Sequence, residues 1–177
     1  MSTISKKICL VGDFGVGKTS LIRRFVERQF SDQYLSTVGV KISRKTIELT
    51  ANPEQKIENL QLMIWDLEGH TKFKAIAPSY LQGASGAIIV ADVTRQETID
   101  RLEEHLNLFL SINPKGVIII AFNKSDLFDE EKTEQLLTTY DFKEQARVLS
   151  TYATSAKTGK DVDLIFETLA KKILFPG

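Results

Sequence analysis

One short segment near the amino terminus constrains the fold of this chain more than any other. It reads Gly12-Asp13-Phe14-Gly15-Val16-Gly17-Lys18-Thr19 and fits the pattern G-x-x-x-x-G-K-[ST]. An apolar run, Ile8–Val11, precedes the pattern, and an amphipathic stretch, Thr19–Arg28, follows it. In that context the pattern predicts a strand, a glycine-rich phosphate-binding turn and a helix in direct succession.

The residues of this loop suit the phosphates of a nucleotide. Glycines allow the backbone to come close, so that its N–H groups and the start of the helix face the anion. We expect the Lys18 ammonium to reach the β- and γ-phosphates and the Thr19 hydroxyl to bind Mg²⁺. The predicted nucleotide contacts in this segment are Phe14, Gly15, Val16, Gly17, Lys18, Thr19 and Ser20.

Strand-like apolar runs alternate with helix-like patterns, which is typical of a mostly parallel sheet covered by helices. The predicted strands are Lys7–Val11, Val40–Thr50, Leu60–Asp66, Gly86–Asp92, Gly116–Asn123 and Arg147–Thr154. The predicted helices are Thr19–Arg28, Lys72–Tyr80, Thr98–Leu110, Glu130–Thr139 and Asp161–Leu174. The second and third strands flank a polar turn at Asn52-Pro53-Glu54 and could form a hairpin. We therefore predict an α/β fold with six strands and about five helices, in a single domain over residues 1–177.

The composition is that of an ordinary globular protein and gives no hint of a nucleic-acid or membrane partner. The chain has 23 Lys and Arg residues against 23 Asp and Glu, so its overall charge does not indicate a nucleic-acid partner. No apolar run approaches the roughly 18 residues of a membrane helix, and Met1–Lys7 lacks the apolar core of a signal peptide. Cys9 is the single cysteine and lies in the first apolar run, as a core residue would. We expect a cytoplasmic, monomeric protein.

Three further polar segments follow predicted strands. Asp66-Leu67-Glu68-Gly69 offers a carboxylate that can hold Mg²⁺ through water and an N–H that can sense a γ-phosphate. Asn123-Lys124-Ser125-Asp126 suits guanine, because the Asp126 carboxylate can accept bonds from N1–H and the 2-amino group. Adenine offers neither donor and would leave that carboxylate unpaired. Thr154-Ser155-Ala156-Lys157 could add an N–H to guanine O6. Ligands bind beyond the carboxyl ends of such strands, so these segments should converge on the glycine-rich loop.

With these motifs in this order, the chain resembles a small GTPase of the Ras superfamily, and within it the Rab branch most. The segments similar to Rab proteins are Gly12-Asp13, Ser36-Thr37-Val38-Gly39-Val40, Trp65-Asp66, Ser79-Tyr80, Gly83-Ala84, Asp92-Val93-Thr94 and Thr154–Gly159. The similarity covers residues 5–175 and includes all five nucleotide motifs. It implies a P-loop small-GTPase fold and a molecular switch that binds GTP and GDP with Mg²⁺ and hydrolyses GTP.

The resemblance also implies roles for individual residues. Phe30 would lie against the guanine ring, while Tyr34 and Thr37 belong to the first switch, with the Thr37 hydroxyl as a second protein ligand of Mg²⁺. Gly69 would donate to the γ-phosphate. Further nucleotide contacts would be Asn123, Lys124, Asp126, Ser155, Ala156 and Lys157. Effector and regulator proteins would bind the switch segments Ser31–Lys41 and Leu67–Tyr80, which the γ-phosphate and Mg²⁺ hold and hydrolysis releases.

Three residues depart from the family pattern where the γ-phosphate is cleaved. Phe14 stands at a position that is usually small, and its ring should obstruct an arginine finger supplied by a partner. Glu68 replaces a small alanine and would bring like charge to the γ-phosphate. His70 replaces the glutamine that positions the attacking water. The implied catalytic set is Lys18, Thr37 and Gly69, with Glu68 and His70 in open roles.

These departures leave three interpretations open: a slow GTPase that stays long in its GTP form, an unusual arrangement in which Glu68 or His70 positions water and a partner completes the site, or neutral substitutions on a loop. We expect slow intrinsic hydrolysis and resistance to finger-type activators. A rival of a different class is an interaction module with negligible hydrolysis that is reset by nucleotide exchange. A small-molecule kinase would share the first motif but would leave Asn123–Asp126 and Ser155–Lys157 unexplained.

Two other segments give weaker expectations. The Asn52–Asn59 region is longer than the tight hairpin turn usual in the family, and we predict a loop without assigned function. His105 lies on a predicted helix near Glu103, Glu104 and Asn107, which favours a solvated helix face.

The chain ends at Phe175-Pro176-Gly177 without the terminal cysteines that carry prenyl groups in Rab proteins. Either a tail has been removed or the protein uses no prenyl anchor, and the second alternative would fit a bacterial Ras-like GTPase. We expect no direct membrane anchor in this chain.

Overall fold

A mixed sheet lies at the centre of the fold. The structure is a computed structural model that describes residues 3–31, 39–67, 69 and 75–177. The strands of these residues are β1 (Thr3–Gly12), β2 (Val40–Leu49), β3 (Glu58–Leu67), β4 (Gly86–Asp92), β5 (Val117–Asn123) and β6 (Val148–Ala153). They lie in the order β2-β3-β1-β4-β5-β6. β2 pairs antiparallel with β3 and the other neighbours are parallel, which confirms the predicted sheet and its hairpin.

Helices cover both faces of this sheet. They are α1 (Lys18–Glu27), α2 (Gln96–Asp100), α3 (Leu102–Ile112), α4 (Glu130–Thr139) and α5 (Val162–Leu174). On one face α1 and α5 meet through Phe25 and Phe166, whose parallel rings have centroids 4.2 Å apart. On the other face Ile99 of α2 and Phe109 of α3 belong to a second apolar cluster. Between these two cores β4 and β5 are buried along their whole length, as their continuous apolar runs predicted.

Two of the predicted helices are wrong in their described parts. The predicted helix Thr98–Leu110 is two helices that meet at Arg101. The Thr98 hydroxyl accepts from the N–H of Asp92 and donates to the Asp92 carbonyl, so α2 is bonded to the end of β4.

The predicted helix Lys72–Tyr80 is the second error. Residues 75–77 are irregular and Pro78–Leu81 is a single 3-10 turn, whereas residues 72–74 lie outside the described part. Pro78 has no N–H to donate and favours an extended conformation in the residue before it. Ala77 accordingly has φ −69° and ψ 117°.

The connections place the carboxyl end of β1 at the point where the strand order reverses. The chain runs from β1 outward to β2 and β3 on one side, then returns to β4 on the other side. A crevice opens at such a point, and ligands of open α/β sheets bind there. The glycine-rich loop lies at this point because it follows β1 directly.

Candidate functional site

The loop between β1 and α1 wraps around the Lys18 side chain. The Lys18 ammonium donates to the carbonyl oxygens of Gly12 at 3.2 Å and of Asp13 at 2.9 Å. Burial lowers the pKa of Lys18 to about 8, although the charges of Asp66 and Asp13 act in the opposite direction. A buried cation whose hydrogen bonds to the described residues go to carbonyl oxygens is poised to take an anionic partner.

Gly17 lets the loop lie against the segment after β5. Its φ of 101° is in the left-handed region, and a Cβ atom there would lie 2.3 Å from the Asn123 amide nitrogen. That nitrogen donates to the Val16 carbonyl at 3.0 Å, while the amide oxygen of Asn123 accepts from the Thr154 hydroxyl at 3.2 Å. Asn123 therefore fastens the phosphate loop to the loops beyond β5 and β6.

The start of α1 meets the end of β3 in a pair of oxygen ligands. The Thr19 hydroxyl donates to the Asp66 carboxylate at 2.5 Å, and Asp66 is 1% exposed. Hard oxygen atoms of this kind are the ligands that Mg²⁺ prefers, together with phosphate oxygens and water. Among the described residues no group of three or more His, Cys, Asp or Glu side chains could hold a metal alone. The donor set thus fits a Mg²⁺ ion that is shared with phosphates.

The residues after β5 and β6 form the other end of the site. The Ser155 hydroxyl donates to Asp126 Oδ1 at 2.7 Å, and the Thr158 N–H donates to that hydroxyl at 3.1 Å. Asp126 itself is exposed. One carboxylate oxygen is therefore oriented from behind, which leaves the second in position for a ligand.

Lys124 connects this end to the phosphate loop. Its backbone is left-handed, with φ 65°, and its ammonium donates to the Gly15 carbonyl at 3.0 Å. The same ammonium pairs with Asp92 at 2.8 Å. Burial raises the pKa of Asp92, but the bonds from Lys124 and Thr94 outweigh that effect and hold the pKa below its usual value. Asp92 is therefore charged and fixes the Lys124 side chain.

A cavity of about 290 Å³ joins the two ends. The predicted site residues that line it are Phe14, Gly15, Gly17, Lys18, Thr19, Ser20, Phe30, Gly69, Asn123, Lys124, Asp126, Ala156 and Lys157. Ser31, Leu67 and Leu127 also line the cavity. Leu127 was not predicted as a site residue, because it belongs to none of the motifs. Three predicted residues lie just behind the wall: Val16 and Ser155 are fully buried, and Asp66 reaches the cavity through Thr19.

Four predicted residues lie outside the described part of the chain. They are Tyr34, Thr37, Glu68 and His70. The same holds for most of the segments Ser31–Lys41 and Leu67–Tyr80 predicted to bind partners, except at residues 31, 39–41, 67, 69 and 75–80.

Gly69 lies directly on the phosphate loop. A Cβ atom at this position would be 2.5 Å from the N and Cα atoms of Phe14 and 2.8 Å from the carbonyl carbon of Asp13. Any side chain would push the two segments apart, so the close approach requires glycine. Gly69 consequently lies at the end of the cavity that Lys18 occupies.

Three basic residues at this end were missed by the sequence analysis or placed wrongly. Arg95 donates to the Phe14 carbonyl at 2.8 Å, and Arg101 donates to Asp13 Oδ2 at 2.9 Å. The prediction of a solvated His105 is wrong: the side chain is 3% exposed and its Nε2 lies 2.8 Å from Asp13 Oδ1. Leu102, His105, Leu106 and Phe109 are the buried residues of α3, a helical spacing of i, i+3, i+4 and i+7 that could have revealed the burial.

In the part of the chain that the structure describes, no helix is long and apolar enough to span a membrane.

A glycine-rich loop with its lysine and threonine, at the carboxyl edge of a mostly parallel sheet, defines the class of P-loop nucleotide-binding proteins. The sequence profile of the Ras family matches residues 7–175 of the chain. The chain belongs to the Ras family and is a Rab-like small GTPase.

Individual relatives are similar along most of their length. The GTP-binding protein ypt5 of Schizosaccharomyces pombe is 34% identical over 172 residues, covering 97% of this chain and 79% of that protein. The Ras-related protein RABF2b of Arabidopsis thaliana is 36% identical over 173 residues, covering 97% and 82%. The Ras-related protein Rab-22A of Homo sapiens is 33% identical over 170 residues, covering 94% and 82%.

Proposed function

We propose that this protein is a molecular switch that binds GTP and GDP with Mg²⁺ and hydrolyses GTP slowly. One observation carries the proposal: a single cavity joins Lys18 and Thr19 at one end to Asp126 at the other. Lys18 and Thr19 suit phosphates and a metal ion, whereas an oriented carboxylate suits the N1–H and 2-amino donors of guanine. A ligand that satisfies both ends is a guanine nucleotide.

The residues around the phosphates would act mainly by charge and position. Lys18 would bind the β- and γ-phosphates and stabilise the charge that develops as the γ-phosphate is transferred to water. Thr19 would bind Mg²⁺ directly and Asp66 through water, while Thr37 would complete the protein ligands. The metal, when bound, neutralises phosphate charge. Gly69 would donate its N–H to a γ-phosphate oxygen, and Phe30 would pack on the guanine ring.

Slow hydrolysis is the finer part of the proposal. It rests on Phe14, which is 39% exposed and lines the cavity where a partner's arginine would enter. It rests as well on the identities of Glu68 and His70. Glu68 would bring negative charge to the γ-phosphate, and His70 replaces the glutamine that usually positions the attacking water. Phe14 supports the view that finger-type activators are obstructed.

A second candidate is a GTP-dependent interaction module with negligible hydrolysis, reset by exchange. The same three residues favour it, whereas the intact Lys18 and Thr19–Asp66 pair favour a working metal site. In both cases effectors and regulators would bind at Ser31–Lys41 and Leu67–Tyr80. We infer a monomeric, cytoplasmic protein that acts as one domain and has no nucleic-acid partner.

Single-turnover cleavage of bound GTP, in wild type and His70→Gln, tests the proposal. The expected wild-type rate is at or below the family's intrinsic scale of about 10⁻⁴ s⁻¹, and the glutamine variant should be faster. A wild-type rate a hundredfold above that scale without a partner would contradict slow hydrolysis. The nucleotide retained by the purified protein is identified in parallel, and failure to bind any guanine nucleotide would overturn the switch itself.

A further inference from the structure

A buried cluster of charged side chains lies behind the phosphate loop, and the proposed function assigns it no role. It consists of Asp13, Arg101 and His105, hereafter the Asp13 cluster. Asp13 is 4% exposed, and its two oxygens have separate partners: Oδ1 lies 2.8 Å from His105 Nε2, and Oδ2 accepts from Arg101 Nε at 2.9 Å. Both partners lie at the start of α3, one turn apart.

The carboxylate is held in its charged form. Burial raises the pKa of Asp13, but the hydrogen bonds and charges of His105 and Arg101 outweigh that effect and leave the pKa below its usual value. A buried charge with two oriented donors resists displacement, because moving it away from either donor leaves that group unsatisfied. Asp13 is therefore fixed relative to α3.

The backbone of the same residue faces the phosphate site. Its carbonyl oxygen accepts from the Lys18 ammonium at 2.9 Å. Its carbonyl carbon belongs to the surface on which Gly69 rests, at a separation that excludes a Cβ atom. Asp13 thus contacts three parts of the site. Its carboxylate binds the start of α3, its carbonyl oxygen binds Lys18, and its carbonyl carbon lies against Gly69.

We propose that His105 and Arg101 are positioning residues that, by fixing Asp13, set the places of Lys18 and Gly69 against the γ-phosphate. The inference rests on the proposed function, since it assigns these residues to the same GTP site. It predicts that loosening the cluster affects GTP more than GDP. Gly69 would contact only the γ-phosphate, and Asp126 with its Ser155 bond lies at the opposite end of the cavity.

The test uses the full chain with Mg²⁺ and compares two substitutions of similar volume. His105→Gln keeps an N–H donor near the position of Nε2, whereas His105→Leu removes it. Misplacement of reacting groups by about 1 Å can cost roughly a hundredfold in rate. We expect His105→Leu to slow single-turnover GTP cleavage about tenfold to a hundredfold and to raise the ratio of the GTP to the GDP dissociation rate, whereas His105→Gln should stay within about threefold of wild type.

Arg101→Met gives a second route to the same comparison, because Arg101 is one-third exposed and its loss is less of a risk to folding. It should also slow cleavage and raise the ratio of dissociation rates. Glu104→Gln is the matched control: Glu104 is 63% exposed and reaches Arg101 at 3.9 Å only, so this variant should behave as wild type.

The outcomes distinguish a failure of the proposed function from a failure of the positioning role. A wild-type protein that binds no GTP overturns the proposed function, and this inference with it. If wild type binds and cleaves GTP while His105→Leu and Arg101→Met lose thermal stability alone, with rates and ratio unchanged, the cluster is structural and this inference fails. It fails equally if His105→Gln is as impaired as His105→Leu, because the donor would then not be what positions Asp13.

Discussion

The guanine preference of the site depends on the hydrogen-bonding character of one side chain. In Asp126 the oxygen Oδ1 accepts from Ser155 at 2.7 Å, so Oδ2 is left to meet the base. In Asp126→Asn the amide oxygen would keep the Ser155 bond, and the amide nitrogen would take the place of Oδ2. That nitrogen cannot accept from guanine N1–H or its 2-amino group, but it can donate to the 2-oxo group of xanthine.

We expect Asp126→Asn to lose two charge-assisted hydrogen bonds to GDP, about 3–6 kcal/mol or roughly 10²–10⁴-fold in affinity. Affinity for the corresponding xanthine nucleotide should rise. Competition titrations with both diphosphates measure the two changes. Ser155→Ala serves as the control, since it should weaken GDP binding without any gain for xanthine. Full GDP affinity in Asp126→Asn would show that another group reads the base.

At the residue scale, the sequence patterns identified the motif residues but not the residues that contact and support the phosphate loop. Gly15, Lys18, Thr19 and Asp126 belong to motifs of fixed spacing, and all four line the same cavity. His105 was placed wrongly because its sequence neighbours are acidic, whereas its partner Asp13 lies 92 positions away. Long-range pairs of this kind leave no local pattern, so only the buried helical stripe around His105 could have indicated its burial.

Among the elements, α1 carries the phosphate ligands and α5 holds α1 in place. Phe166 is fully buried and stacks on Phe25 at 4.2 Å between centroids. We expect Phe166→Ala to lower the free energy of unfolding by about 3–5 kcal/mol, from lost burial and the cavity left behind. Denaturant titration measures the change. Leu164 lies on the same helix and is 44% exposed, so Leu164→Ala should stay within about 0.5 kcal/mol of wild type.

A loss below about 1 kcal/mol in Phe166→Ala would contradict this account, because it would mean that the helices repack without the ring. Phe166→Leu refines the measurement. It keeps much of the apolar volume and should lose clearly less stability than the alanine variant.

Strand interiors were predictable from their apolar runs, and some of their ends were not. β4 occupies the predicted residues, because both of its faces are buried and the apolar run coincides with the strand. β1 begins at Thr3 and not at Lys7, since residues 3–6 pair with β3 although Thr3, Ile4 and Ser5 are exposed. Backbone pairing needs no apolar side chain, so a hydrophobic pattern underestimates such strands.

At the scale of the whole molecule, hydrogen bonds between the site loops connect the base end of the cavity to the phosphate end. Asn123 donates to Val16 and Lys124 donates to Gly15, so the segment that reaches the base also fixes the segment that reaches the phosphates. The first segment follows β5 and the second follows β1, two parallel strands with β4 between them, so both lie at the same edge of the sheet. A ligand that contacts both ends should therefore stabilise the entire domain, and it should do so only if its base and its phosphates both fit.

Thermal unfolding with and without ligand measures that coupling. A ligand at a hundred times its Kd adds about 2.7 kcal/mol of stability. For a domain of this size that corresponds to a rise in Tm of about 5–11 °C. We expect this rise with GDP and Mg²⁺, and a rise below about 1 °C with ADP, which cannot satisfy Asp126.

Removing the metal separates the contributions of the two ends. With EDTA the GDP-induced rise should shrink, because the Thr19–Asp66 pair then faces the phosphates without the cation that both oxygens suit. Thr19→Ala should lose most of this Mg²⁺-dependent part, whereas Thr138→Ala, an exposed threonine on α4, should keep it. A GDP effect that is identical with and without Mg²⁺ would argue against a shared metal site. An equal effect of ADP and GDP would instead show that the site does not select guanine, which would contradict the role proposed for Asp126.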